Sequence, residues 1–171
     1  MPGPNHQGKE IECVPCAVLT VSDTRTVETD GSGKLICDLL TEHGHEIRDY
    51  TVVKDEPDRI RELLRKLRDD GQCAAVLLNG GTGVSARDTT YEAVTDVLDK
   101  VLDGFGELFR MKSYDEIGPS AMLSRAVAGV MGHCVVFSMP GSTGAVRLAM
   151  NDLILPELGH IAWLVADPRN Q

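Results

Sequence analysis

The stretch LLNGGTGVSARDTT, residues Leu77–Thr90, decides the fold. An apolar run, Ala74–Leu78, leads into three glycines within four residues, and a helical pattern begins near Tyr91. Glycine has no Cβ, so the main chain of such a loop can come close to a ligand. Successive main-chain N–H groups ahead of a helix make a seat for phosphate. Asp88 adds a carboxylate beside that seat, which favours Mg²⁺ between the carboxylate and the phosphate.

Two known nucleotide-binding motifs offer other interpretations of this loop. No Gly-Lys-Ser/Thr follows the glycines, so the loop is not a P-loop. Residues 81–86 fit the looser pattern G-x-G-x-x-A, which would indicate a nicotinamide-dependent oxidoreductase. That fingerprint belongs after the first strand of a βαβ unit, whereas this loop follows the third predicted strand. A plain turn from strand to helix is the remaining alternative.

The whole chain alternates predicted strands and helices. Strands are predicted over Ala17–Val21, Glu46–Val53, Ala74–Leu78 and Cys134–Ser138. Helices are predicted over Lys34–His43, from Pro57 onward, through Ala93–Leu102, over Glu116–Ala128 and over Gly144–Leu155. This order predicts an α/β fold of three layers, a mostly parallel sheet with helices on both faces. We expect a disordered tail over residues 1–12 and a single domain over residues 13–171.

Polar residues and glycines follow the predicted strands. Ser22 comes after the first strand, Asp55 after the second, the glycine loop after the third and Met139–Thr143 after a later one. Ligands bind at the carboxyl ends of the strands in such sheets, so we expect these segments to share one rim. Asp55 and Asp88 each precede a predicted helix, and either could instead be a helix N-cap.

Composition limits the partners and the location. The 171 residues carry a formal net charge of −9, which argues against binding to nucleic acid or an anionic membrane. No apolar stretch is long enough to span a bilayer and the N-terminus lacks a signal-peptide core, so we expect a cytoplasmic protein. The odd count of five cysteines indicates reduced thiols. Cys13 and Cys16 form a C-x-x-C at the start of a strand, which disfavours a redox or zinc role.

The few aromatic residues are unevenly distributed. Phe105, Phe109 and Tyr114 fall in one segment together with Met111. Core packing would account for such a cluster. A subunit interface would account for it too, because aromatic residues and methionine are enriched there.

Three separated segments, taken together, resemble one known family. The first is Gly80–Gly83 with Arg87 and Asp88. The second comprises residues 104–111 and 121–129, the latter containing Leu-Ser-Arg at residues 123–125, and the third is Met139–Thr143. In this order they resemble the MoaB/Mog family of molybdenum cofactor biosynthesis proteins, whose members bind molybdopterin. The resemblance runs from about Ala17 to Leu158 and is closer to the MoaB branch than to the Mog branch.

The resemblance implies a function and a set of site residues. It implies Mg²⁺-dependent transfer of AMP from ATP to the terminal phosphate of molybdopterin, by a homo-oligomer that is a trimer or a hexamer. A pterin-binding carrier protein of the same pathway, without transfer activity, is the alternative. Asp55 and Asp88 match the family's functional aspartates and are the expected catalytic residues and Mg²⁺ ligands. The expected substrate-binding residues are Ser22, Gly80, Gly81, Thr82, Gly83, Ser124, Pro140, Gly141 and Ser142. This chain has Thr89–Tyr91 where many relatives have a proline, which affects the geometry of the loop.

Overall fold

A six-stranded sheet runs through the part of the chain that the computed structural model describes, residues 9–166. The strands are β1 (Pro15–Val21), β2 (Glu46–Val53), β3 (Ala75–Asn79), β4 (Lys100–Val101), β5 (Val127–Met131) and β6 (Cys134–Met139). Their order in the sheet is β2-β1-β3-β6-β5-β4. The first four of these are parallel, whereas β5 and β4 are added antiparallel at one edge.

Helices cover both faces of the sheet. They are α1 (Gly31–Glu42), α2 (Pro57–Asp70), α3 (Thr90–Thr95), α4 (Asp103–Ile117), α5 (Thr143–Ala149) and α6 (Leu158–Ala166). A core on one face packs α1, α4, α5 and α6 against the sheet, and a core on the other face packs α2 and α3. Side chains of β1 alternate between the two cores, with Val18 in the first and Leu19 in the second. The predicted three-layer α/β fold is therefore confirmed.

The four parallel strands lie close to the residue ranges that the sequence predicts for them. Every residue of β3 is buried, as expected for a central strand covered on both faces. Proline at the first position of α2 pre-sets the helical backbone, and Ile60 and Leu64 of that helix are buried against the sheet. The strand β1 begins at Pro15 rather than at Ala17.

The helix predicted through Ala93–Leu102 is wrong in its second half. Helix α3 ends at Thr95, and Lys100–Val101 forms the edge strand β4. The main-chain N–H of Asp99 donates to the Val130 carbonyl at 2.7 Å, and that of Leu102 donates to Ala128 at 2.8 Å. Pairing with β5 thus satisfies main-chain groups that a continued helix would have satisfied internally.

The helix predicted over Glu116–Ala128 is also wrong. Residues Asp103–Ile117 form α4, a 3₁₀ turn covers Gly118–Leu123, and Val127 begins β5. Gly118 has φ +63° and the following proline has no N–H, so the helix ends there. The last predicted helix starts at Thr143 and ends in a π turn over Met150–Ile154, and α6 was not predicted.

A buried carboxylate fixes the start of α1. This helix begins at Gly31 rather than Lys34, because Asp30 Oδ1 accepts a hydrogen bond from Gly33 N at 3.0 Å. Tyr50 Oη donates to Asp30 Oδ2 at 2.7 Å, and Arg25 Nη1 lies 3.7 Å from Oδ1. Burial raises the pKa of Asp30, but the hydrogen bonds from Gly33, Thr20 and Tyr50 outweigh it and hold the pKa below its ordinary value.

The expected disordered tail, residues 1–12, lies outside the described residues up to residue 8. From residue 9 onward the chain contacts α6. Lys9 Nζ is 5.1 Å from the centre of the Trp163 ring, and Ile11 N donates to the Gly159 carbonyl at 3.1 Å. No helix formed by residues 9–166 is long and apolar enough to cross a membrane.

All five cysteines lie among the described residues and are free. Cys13 is exposed, whereas Cys16 is buried within β1. Burial raises the pKa of the Cys16 thiol far above its ordinary value, which keeps the thiol protonated and unreactive. The structure therefore offers no support for a redox role of the C-x-x-C.

We predict that Tyr50→Phe lowers the free energy of unfolding by about 1.5–3 kcal/mol, because a buried carboxylate loses a donor. Urea unfolding at neutral pH measures this change. Tyr114→Phe is the matched control and should change stability by less than about 0.5 kcal/mol, since Tyr114 is 59% exposed.

The same pair of variants tests the charge of Asp30. Its folded pKa is lowered, so its stabilisation is present above the unfolded pKa and is lost as the pH falls through the folded pKa. The effect of Tyr50→Phe should therefore shrink in acid. Equal losses for Tyr50→Phe and Tyr114→Phe would contradict this account.

Candidate functional site

The carboxyl ends of the four parallel strands meet along one edge of the sheet, here called the rim. Ser22 follows β1, Asp55 lies just past β2, Gly80 follows β3 and Pro140 follows β6. The four strands are neighbours in the sheet and point the same way. The predicted convergence of these segments is thus present.

A pocket of about 380 Å³ opens at the rim beside the glycine loop. Its volume lies in the range of about 300–1,000 Å³ that is usual for small-molecule sites. The predicted site residues that line it are Gly81, Thr82, Gly83, Asp88, Ser124, Pro140, Gly141 and Ser142. Asp55, Ser22 and Gly80 are not among its lining residues. The structure thus brings most of the predicted residues together around one cavity.

One wall of the pocket was not predicted from the sequence. The unpredicted lining residues are Phe109, Ser113, Glu116, Ile117, Leu123, Gly144 and Ala145. The first four belong to α4, a helix that the sequence analysis did not place. The sequence did single out this segment through its cluster of aromatic residues with Met111, for which core packing and a subunit interface were the two interpretations. Phe105 and Phe109 pack in the core, while Met111 and Tyr114 remain exposed.

Close packing of main chain explains the first two glycines of the loop. Gly80 and Gly81 have φ of +98° and +66°, a region that favours glycine. A Cβ on Gly80 would overlap the carbonyl oxygen of Val21, at the end of β1. A Cβ on Gly81 would overlap Asp55 Oδ2 and Thr90 Oγ1. At these two positions the missing side chains admit neighbouring parts of the protein.

Asp55 lies beneath the loop. Its side chain is buried, with the residue only 5% exposed, and Oδ1 accepts hydrogen bonds from Thr89 N at 3.2 Å and Thr89 Oγ1 at 2.6 Å. The expectation that Asp55 might cap α2 is wrong, because the cap residue is Glu56 and its side chain makes no capping bond. Asp55 instead supports Thr89, the residue just before α3. Its role as a Mg²⁺ ligand stays a prediction.

Asp88 lies in the wall of the pocket, half-buried. Its Oδ2 accepts hydrogen bonds from Ser85 N at 3.0 Å and Ser85 Oγ at 2.5 Å. It does not cap α3, whose N-cap is Thr89 without a side-chain bond. A Cβ on Gly83 would lie 2.7 Å from Asp88 Oδ2, so the third glycine makes room for this carboxylate. Asp88 is thus the predicted carboxylate that a ligand in the pocket can contact.

Asp23, next to Ser22 at the end of β1, is a rim residue whose contacts the sequence did not predict. Arg87 binds both of its carboxylate oxygens, through Nε at 2.6 Å and Nη2 at 2.9 Å. Asp55 N donates to Asp23 Oδ1 at 3.2 Å. The hydrogen bond from Arg87 holds the pKa of Asp23 below its ordinary value. Asp23 thereby joins the ends of β1 and β2 to the glycine loop.

Hydrogen-bond donors in α1 and in the loop before it hold the turn after β6. The Gly141 carbonyl accepts hydrogen bonds from Ser32 Oγ at 2.6 Å and from both Nη atoms of Arg25 at 3.3 Å. Ser142 Oγ accepts from Ala145 N at 3.2 Å and caps α5. Ser22 Oγ accepts from Arg25 N at 3.1 Å, so Ser22 shapes the segment that carries Arg25.

The loop geometry bears on the dinucleotide interpretation. In a dinucleotide fingerprint the glycine loop opens directly into the helix that carries the phosphate seat. Here α3 begins only at Thr90, after the whole of residues 81–86. The loop also follows β3, the third strand in chain order, whereas the fingerprint follows the first. Both observations disfavour a nicotinamide site.

The donors at the rim are compatible with Mg²⁺ accompanied by phosphate. Among residues 9–166 no group of three or more His, Cys, Asp or Glu side chains could hold a metal ion. Mg²⁺ is commonly bound through one or two carboxylates together with phosphate and water. Asp88 supplies such a carboxylate in the pocket, and beneath the loop the hydroxyl of the buried Thr90 lacks a hydrogen-bond partner. These residues fit Mg²⁺ when a phosphorylated ligand completes its coordination.

Comparison with known proteins gives a consistent result over nearly the whole chain. Residues 17–160 match the family described as "Probable molybdopterin binding domain". The Molybdenum cofactor biosynthesis protein B of Halalkalibacterium halodurans is 54% identical over 157 residues, which cover 91% of this chain and 92% of that protein.

Solved structures agree with the sequence comparison. A crystal structure of a Molybdenum cofactor biosynthesis protein B is 56% identical, with a TM-score of 0.87, and covers 90% of this chain and 96% of its own. A MogA structure is 30% identical, with a TM-score of 0.81, and covers 89% and 99%. The higher identity to protein B agrees with the predicted branch. The chain therefore belongs to the MoaB/Mog family of molybdenum cofactor biosynthesis proteins, on its MoaB branch.

Proposed function

We propose that this protein transfers AMP from ATP to the terminal phosphate of molybdopterin, with Mg²⁺ as cofactor. The observation that carries the proposal is the wall of the pocket at the rim. There the main chain of Gly81–Gly83, the Asp88 carboxylate and the turn Pro140–Ser142 surround one cavity. Such a cavity suits a phosphorylated ligand whose charge is met by main-chain groups and a carboxylate-bound cation.

The reaction needs positioning more than it needs proton transfer. The attacking atom is a molybdopterin phosphate oxygen, already ionised at neutral pH. Its bond to the α-phosphorus of ATP forms as the bond between that phosphorus and pyrophosphate breaks. The residues of the site have to align the two phosphates and offset their charge. Mg²⁺, when bound, supplies part of that charge neutralisation.

The chain's own residues can be given distinct parts in this proposal. The main chain of Gly81–Gly83 would bind phosphate, and Asp88 would hold Mg²⁺. Asp55 keeps Thr89 and the start of α3 in place beneath the loop. Phe109, Ile117 and Leu123 give the pocket an apolar wall, which suits the ring system of a pterin. Ser124 and Ser142 provide hydroxyls at its edge.

A molybdopterin carrier without transfer activity is the second candidate function. The burial of Asp55 favours it, because one of the two expected catalytic carboxylates is 5% exposed and does not line the pocket. A carrier needs the pocket but no reactive metal site. The two candidates differ in whether AMP is transferred once molybdopterin is bound.

A cytoplasmic location and a homo-oligomer belong to the same proposal. All five cysteines are free, as is typical of a reducing compartment. Six large apolar side chains of α4 and the following turn are exposed: Leu108, Met111, Tyr114, Ile117, Met122 and Leu123. Ile117 and Leu123 also line the pocket, so a second copy that covers this surface would close one side of the site.

We predict that Asp88→Asn retains the fold but loses AMP transfer by about a hundredfold or more, because the amide keeps the shape and lacks the charge that holds Mg²⁺. The measurement is AMP incorporation into molybdopterin in the presence of ATP and Mg²⁺. Asp55→Asn should also be impaired, through a weaker support for Thr89.

Asp69→Asn is the matched control for both variants. Asp69 lies in the last turn of α2, and its carboxylate contacts Arg68. Its substitution should leave transfer unchanged. Transfer at the wild-type rate by Asp88→Asn would refute the assigned role. Wild-type protein that binds molybdopterin and never transfers AMP would establish the carrier instead.

We predict that Met122→Asp weakens the oligomer, because Met122 is 73% exposed, the most of the six apolar residues, and a charge there opposes burial. Light scattering at micromolar concentration should show a trimer or hexamer for the wild type and a lower mass for the variant. Val27→Asp, at an exposed apolar residue away from α4, is the control. A wild-type mass of 18.5 kDa would mean that the protein is a monomer and would end the proposal of an oligomer.

A further inference from the structure

The loop from Gly83 to Asp88 contributes its two end residues to the pocket wall, and it contains no helix or strand. Its internal bonds are few and local. Asp88 N donates to the Ser85 carbonyl at 3.0 Å, and the Asp88 carboxylate accepts from Ser85. These bonds shape the tip of the loop, and Thr90 N closes its base by donating to the Gly81 carbonyl at 3.1 Å.

Arg125 joins the two ends of this loop. Its Nε donates to the carbonyl of Gly83 at 2.8 Å, and its Nη2 donates to the carbonyl of Asp88 at 3.1 Å. One planar guanidinium therefore spans the first and last residues of the loop. The main-chain N–H of Arg125 also donates to the Thr82 carbonyl at 3.0 Å, just before the loop begins.

Two residues of α3 hold the guanidinium in this orientation. Glu92 accepts from Nη1 of Arg125 in a close ion pair. The guanidinium carbon lies 5.1 Å from the centre of the Tyr91 ring, within the range of a cation–π contact. The rigid fork of arginine makes all these contacts at once, which a lysine ammonium cannot do.

We propose that Arg125 is a positioning residue that holds the Gly83–Asp88 loop in the shape that binds the phosphorylated ligand. The inference rests on the proposed function for its ligand, but the restraint on the loop is a property of the protein alone. Arg125 places the main chain of Asp88 and thereby its carboxylate at the pocket. It acts through the loop and does not itself line the pocket among the residues described.

A simple ion pair between α3 and the segment before β5 would be the ordinary explanation of Arg125. Exposed ion pairs contribute only about 0–1 kcal/mol, and such a role would leave the loop unaffected. In this structure the pair with Glu92 uses only one nitrogen of the guanidinium. The other two nitrogens donate to loop carbonyls, so removing Glu92 and removing Arg125 should have different consequences.

Hydrogen exchange of the protein without ligand tests the restraint directly. The amides to follow are Ser85, Asp88, Thr89 and Thr90, each of which donates a hydrogen bond in the structure. We expect Arg125→Gln and Arg125→Lys each to speed exchange in a peptide covering residues 82–90 by about tenfold or more, since local opening becomes easier. Peptides from β3 and β6 should exchange as in the wild type.

Arg61→Gln is the matched control. Arg61 has a similar exposure, 22% against 26% for Arg125, and donates to Asp58 and Asp96 without contacting any loop carbonyl. Glu92→Gln removes the charge of the partner and leaves the two loop contacts. Arg61→Gln should not change exchange over residues 82–90 more than twofold, and Glu92→Gln should speed it less than Arg125→Gln does. Unchanged exchange in Arg125→Gln, or full restoration by Arg125→Lys, would overturn the proposal.

Molybdopterin affinity connects the restraint to the site. We expect both Arg125 variants to bind molybdopterin about tenfold more weakly, and Arg61→Gln to bind it as the wild type does. Faster loop exchange with unchanged affinity would overturn the positioning role. Wild-type protein that fails to bind molybdopterin would instead remove the proposed function, while the exchange result would still report on the restraint.

Discussion

The close approach of main chain to main chain at the rim is the constraint on which the site depends. Gly80 N donates to the Met139 carbonyl at 3.0 Å, and the Gly80 Cα lies against the carbonyl end of Val21. A Cβ on Gly141 would come within 3.2 Å of the Gly80 Cα. Three strand ends therefore meet with no side chain between them. Any side chain at Gly80 would separate β1 from β3 and move both the loop and the turn that form the pocket.

Three arginine side chains connect the loops and turns that follow these strand ends. Arg25 joins the loop after β1 to the turn after β6, Arg87 joins the glycine loop to Asp23, and Arg125 joins both ends of that loop to α3. Each of these arginines is paired with an acidic residue in a protein of net charge −9. Their charge is largely offset within the protein. In the proposed function, the charge of a bound phosphate would therefore be balanced chiefly by main-chain amides and a cation.

Sequence alone predicted the parallel half of the fold, because its signals are local. The buried run before Gly80, the alternation in β2 and the proline at the start of α2 each point to one structure. The prediction for the region between α3 and β6 was wrong because the pairing that shapes this region is not local. Val97 and Val101 keep helical spacing, yet Val101 pairs with Gly129 in the antiparallel edge. A pairing partner about thirty residues away leaves no trace in a local pattern, so the α4 wall of the pocket was missed with it.

The family motif identifies both expected catalytic aspartates, Asp55 and Asp88, but it does not show how their environments differ. Both precede helices and both match the same family pattern, so the sequence predicts the same role for each. The structure shows that the two carboxylates differ in their exposure. The carboxylate of Asp88 is half-exposed in the pocket wall, whereas that of Asp55 is directed to Thr89 and packs against Gly81 beneath the loop. In the proposed function, removing the charge of Asp88 acts on the bound ligand, whereas removing that of Asp55 acts first on the loop through Thr89.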